Sequence, residues 1–100
     1  MDWVDQHVLN YDLFAADRDS DVRILDNRML KTRRPHRCVI CEQSIPVGAR
    51  VRAQTECDRQ ARRVMTFYVC EDCCAAIDRR LKDDGRAIET RTAIGMGAMP

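Results

Sequence analysis

Aromatic residues are scarce in this chain: Trp3, Tyr11, Phe14, Phe67 and Tyr68 are all there are in 100 residues. A core without many large rings closes little surface, so a domain this small calls for a staple such as a bound metal. Also lacking is any run near the roughly 20 apolar residues that a membrane helix needs. Asp2 and Asp5 stand where a signal peptide would carry lysines, and no continuous apolar stretch follows them. The expectation is a cytoplasmic protein, whose thiols stay reduced and open to metal. Catalytic motifs are missing too. The chain has no P-loop, no Ser–His–Asp set, no metallopeptidase helix and no His-x-Glu beside a cysteine pair. An enzyme is therefore not expected.

What the chain does have is cysteine. Cys38-Val39-Ile40-Cys41 and Cys70-Glu71-Asp72-Cys73 are two C-x-x-C hooks, a spacing that lets two thiolates on one tight turn reach the same ion. Two such hooks supply four soft ligands, the set of a tetrahedral structural zinc site, in preference to iron or a disulfide framework. A thiol oxidoreductase would use one hook. Cys57 lies away from both and reads as a spare thiol. Cys74 could replace Cys73, but the C-x-x-C spacing favours Cys73. His36, just before the first hook, reads as packing or surface, since four cysteines already fill the tetrahedron.

Taken in order, Trp3, Val4, His7, Val8, Tyr11 and Phe14 recur at three- and four-residue intervals, predicting an amphipathic helix over about 3–16 with Asp5, Gln6 and Asn10 opposite. His7 reads as a packed core histidine. Asp17-Arg18-Asp19-Ser20-Asp21 ends this element; it lacks the glycine and terminal glutamate of a calcium loop. Val22 to Asp26 alternates as a short strand or arm. Pro35 imposes an extended approach to Cys38. Val47, Ala49, Val51 and Ala53 predict a strand with one buried face. Residues 54–63 read as an exposed hairpin tip, and Val64 to Val69 as the return strand. Cys73, Ile77 and Leu81 then form the apolar stripe of a helix that opens on Glu71 and Asp72 and stops at Gly85. The division expected is an acidic helix and arm over 1–30, a zinc-binding module over 31–85, and a flexible or partly helical tail over 86–100.

A hook on a turn, a hairpin and a hook opening a helix make an α+β, treble-clef-like layout. The stretch from Arg33 to Ile77 resembles a group of small phage- and prophage-encoded zinc proteins. The matching residues are Arg33, Arg34, His36, Cys38, Cys41, Ile45, Gly48, Phe67, Cys70 and Cys73. Those proteins carry glycine or a close substitute after the first hook, where this chain has Glu42-Gln43. They carry a tyrosine-like residue on the first strand, where it has Ala49-Arg50-Val51-Arg52. The resemblance implies the fold and a phage-linked origin, with no catalytic activity.

Charge is unevenly spread. Residues 1–30 hold seven acids against three arginines, a balance of −4, and residues 31–63 hold nine bases against three acids, a balance of +6. Two binding functions follow. In the first, a phage-type accessory protein covers a host protein or defence complex, in the manner of an anti-CRISPR inhibitor, with Asp17, Asp19 and Asp21 meeting a basic groove. In the second, a nucleic-acid-binding zinc finger sets Arg50, Arg52, Arg59, Arg62 and Arg63 of the hairpin against phosphates. The discriminating feature is whether the acidic arm folds over the basic hairpin.

Overall fold

The computed structural model describes residues 3–11, 13 and 22–97. Phe14, the arm aspartates Asp12, Asp17, Asp19 and Asp21, and the last three residues lie outside the described residues. The elements in chain order are α1 (Trp3–Leu9), β1 (Val22–Lys31), β2 (His36–Arg37), β3 (Ser44–Ile45), β4 (Arg50–Asp58), β5 (Arg63–Val69), α2 (Glu71–Asp78), α3 (Arg80–Asp83) and α4 (Arg86–Gly95). β1, β4 and β5 form an antiparallel sheet in that order, and β2 pairs with β3 in a second, two-stranded one. The protein is a small α+β structure in which four cysteines sit close together.

β1 is ten residues long, not a short arm. It pairs with β4 from Val22–Asp58 to Lys31–Arg50, with a register shift between Ile24 and Asp26 that leaves Leu25 as a bulge. Its polar stretch Asp26-Asn27-Arg28 hides the strand in the sequence, because an edge strand need not alternate cleanly. The expected division at residue 30 falls inside this strand, so the residues just before it hydrogen-bond along β4.

β4 also runs on past Ala53 to Asp58. Val51 and Ala53 are buried as expected, but so are Arg52 and Gln54, at 1% and 2% exposure. Alternation puts the two pairs on opposite faces, so this strand is covered on both. Arg52 spends its donors internally: Nε to Asn27 Oδ1, one terminal nitrogen to the Val8 carbonyl, the other to Gln54 Oε1. Gln54 in turn donates to Glu56. The turn between β4 and β5 is fixed by Asp58, whose carboxylate accepts from the backbone N–H of Gln60 and Ala61.

The helical stripe predicted over 3–16 shortens to a seven-residue α1. A helix of two turns is not stable alone, and its C-terminal carbonyls would go unpaired. Three other elements supply the donors: Arg80 to His7, Arg52 to Val8 and Asn27 to Leu9. Each such bond contributes about 1 kcal/mol net, and two bring positive charge to the negative end of the helix. His7 Nδ1 lies 3.0 Å from Asp78 Oδ1, tying α1 to α2. Asp5, expected on the solvent face, is 7% exposed and pairs with Arg50.

The single helix expected to end at Gly85 is two, α2 and α3, and α4 follows that stop. α2 stops at Asp78, and Leu81, predicted on the apolar stripe, is 74% exposed on α3. Asp84 and Gly85 both take left-handed backbone, φ 57° and 78°. Asp83 then accepts from the N–H groups of Gly85 and Ala87, starting α4. Of the two readings of the tail, flexible or partly helical, α4 takes the helical one over Arg86–Gly95 and packs: Ile88 is buried, and Ile94 and Ala87 lie against the core.

Candidate metal centre

The core is built around sulfur. Cys38, Cys41, Cys73 and Cys74 are buried together with Val8, Ile45, Val51, Val69, Ile77 and Ile88. The first hook sits on a knuckle closed by the Cys38 N–H bond to Gln43 O and the Glu42 N–H bond to Cys38 O, both 3.0 Å. The turn needs left-handed backbone at Glu42, φ 62°. The second hook opens α2: Cys70 is its N-cap, and its sulfur accepts from the Cys73 N–H at 3.4 Å. The two hooks are stitched by the Val39 N–H to Tyr68 O and the Cys70 N–H to Cys38 Sγ.

The Sγ atoms of Cys38, Cys41, Cys70 and Cys73 all lie within 4.8 Å of one another. The Cys38–Cys73 and Cys41–Cys70 pairs are each 3.7 Å apart. A tetrahedral zinc with Zn–S near 2.3 Å sets its sulfurs about 3.8 Å apart. All six cysteines are free of disulfides. The four form a possible metal site.

Electrostatics argue the same way. Hydrogen bonds from Cys70, then Cys73, hold the Cys38 thiol well below its ordinary value. The contact with Cys38 pushes Cys70 up to about 11 and Cys73 upward as well. Like charges so close in a buried space repel. A divalent cation lets the other sulfurs ionise.

Arg91, on α4, was not singled out by its place in the sequence. Its Nε donates to Cys73 Sγ at 3.4 Å, a terminal nitrogen reaches Cys70 Sγ at 3.9 Å, and the same nitrogen bonds Gln43 Oε1. It thus braces both hooks and brings a positive charge to a centre that is −2 when four thiolates hold a divalent ion. No local motif signals it; an arginine 18 residues past the last hook looks like surface.

The remaining candidates separate. Cys74 faces away from the cluster toward Val69 O, and burial pushes its thiol up to about 12. Cys57 lies on β4 near its far end. His36 is no ligand: its ring stacks on Tyr68, centroids 3.8 Å apart and 15° from parallel. Of the five hairpin arginines, Arg52 is interior, which removes it from any partner surface. Arg50 pairs with Asp5 of α1. Arg59, Arg62 and Arg63 are exposed at the tip. Asp17, Asp19 and Asp21 lie outside the described residues. Among the described residues, no helix is long and apolar enough to cross a membrane. Compared with known proteins, the chain matches no protein-family model, no curated protein and no solved structure.

Proposed function

We propose that this chain is a non-catalytic binding protein held together by a structural zinc ion on Cys38, Cys41, Cys70 and Cys73. The observation that carries the reading is the sulfur spacing, 3.7 Å along two edges, which suits zinc–thiolate bonds. Knuckle, hairpin and capped helix follow in the order of a treble-clef finger. Four sulfurs close the coordination sphere and leave no open position for water or substrate. Native mass spectrometry of protein purified without added metal tests this: one zinc per chain is expected, and none in Cys70→Ser. A wild-type chain that carries iron, or stays folded with no metal, would sink the reading.

For the partner, the described surface favours nucleic acid, though not across the hairpin. Arg50 and Arg52 are taken by α1, whereas the approach to the first hook carries a cluster of cations with no carboxylate among the described residues lining it. The second reading is a phage-type inhibitor of a host protein or defence complex in the cytoplasm. α1 lying against the base of the hairpin supports it, because that contact withdraws part of the basic surface from phosphates. A pull-down from lysate with and without nuclease separates the two. Nuclease-sensitive capture that weakens steeply with salt is expected; a nuclease-resistant protein complex would favour the inhibitor.

A further inference from the structure

The register of the main sheet puts Arg28, Ala53 and Tyr68 in one cross-strand row, since Ala53 pairs with Arg28 on one side and Tyr68 on the other. Directly opposed residues share a face, so Arg28 and Tyr68 flank the small Ala53. This face is opposite to the one carrying Arg52 and Gln54. A groove opens here, lined by Arg28, Lys31, Arg33, Arg34, His36 and Tyr68 among others, and among the described residues no carboxylate lines it. Arg28 is paired with Asp26 at 3.1 Å. Among the described residues, no carboxylate lies within ion-pair distance of Lys31, Arg33 or Arg34.

The cations are presented from a fixed backbone. Thr32, buried between Lys31 and Arg33, bonds Ala49 O through its N–H and Pro46 O through its hydroxyl, and it accepts from the N–H groups of Gly48 and Ala49. Pro35 disfavours helical backbone at Arg34, and instead of the extended approach expected from sequence the chain bends at Arg33 and Arg34. The ring stack is fixed as well. His36 is held by β2–β3 pairing and Tyr68 by the Val39 N–H, so the first hook's knuckle aligns the two rings.

We infer that this groove is a binding site for single-stranded nucleic acid, the phosphates lying on Lys31, Arg33 and Arg34 and an unpaired base against the His36–Tyr68 stack. A row of cations beside flat rings is what a single strand offers partners for, through its backbone charge and its exposed base faces. A duplex keeps its bases stacked inside and can use only the cations. The inference rests on the zinc-held fold, which positions His36 against Tyr68, and on the nucleic-acid reading above.

The test is fluorescence anisotropy with zinc-loaded full-length protein and labelled 15-mers of thymidine and of uridine, with a 15-base-pair duplex beside them. Binding to one or both single strands is expected, at least fivefold tighter than to the duplex. The slope of log affinity against log salt is expected near −2, from about three contacts at about 0.7 each. The double variant R33E/R34E should lose at least tenfold and flatten that slope. Tyr68→Leu should lose fivefold or more and keep the slope, whereas Tyr68→Phe should restore affinity. Arg86→Glu, distant on α4, should change nothing. Zinc content and thermal melting of every variant are measured in parallel, so that failure of the fold registers separately. No strand binding by the folded, zinc-loaded chain would overturn the site and leave the zinc reading standing. So would equal affinity for duplex, or a loss in R59E/R62E/R63E with none in R33E/R34E.

Discussion

Glu42 shows how one residue can be strained for the sake of the knuckle that holds Cys38 and Cys41. Its φ of 62° costs a side-chain-bearing residue about 1–2 kcal/mol, a cost glycine escapes, though glycine loses more freedom on folding. Glu42→Gly should therefore stabilise the metal-loaded protein by about 1 kcal/mol net, read from urea melts. A destabilised variant would show that the glutamate side chain itself supports the turn. Arg91 is the converse, a residue whose role depends on where a helix happens to lie. Its guanidinium touches two of the four sulfurs, and groups that orient metal ligands are commonly worth 10–100-fold in affinity. Arg91→Ala should weaken zinc binding about tenfold in competition with a chromophoric chelator, and Arg91→Lys by less. Equal affinity in all three proteins would reduce the arginine to a surface charge. The spacing Cys38, Cys41, Cys70, Cys73 was legible because C-x-x-C is a local signal. Arg91 was not, since nothing near it in sequence points back to a site 18 residues away.

At the scale of elements, the C-terminal helices carry the largest departure from expectation. The stripe Cys73, Ile77, Leu81 describes one continuous helix, and the first two of these residues are indeed buried. The helix breaks at Arg79, and Arg80 turns to bond the carbonyls of Ile77 and His7 while its guanidinium lies over the Tyr11 ring. Those acceptors include a residue more than 70 positions away, so periodicity alone holds no trace of the break. α4 meets the knuckle at Gly95, where an added Cβ would stand 1.8 Å from the Ile40 carbonyl oxygen. Neither side of that contact is a flexible side chain, so something in the backbone must shift. Gly95→Ala should cost about 1–3 kcal/mol by lifting the end of α4, and with it Arg91, off the centre. Equilibrium melts check the size. Slower release of zinc from the variant than from the wild type would contradict the mechanism.

Across the whole molecule, the four-cysteine cluster and the hydrophobic core are one object. The ligands come from two segments nearly 30 residues apart, and α1 and β1 lean on the elements between them through Arg52 and Asn27. Structural zinc in small fingers is worth about 10–16 kcal/mol at neutral pH, against about 5–15 kcal/mol of stability for an ordinary domain. Chelation should therefore melt the protein as one unit, with amide protection lost together at Val8 of α1, Val51 of β4 and Ile77 of α2. Surviving protection in the sheet after zinc removal would show that its strands hold without the staple. The sequence by itself determined the four candidate ligands, the hairpin between the hooks and the helix that opens on the second. Each rests on short-range rules, namely hook spacing, alternation and acids at a helix start. Only the tertiary structure decided that Arg52 is interior, that Arg91 belongs to the centre, and that Arg28 and Tyr68 flank one groove. Those facts depend on strand register and helix docking, which bring together residues no local pattern connects.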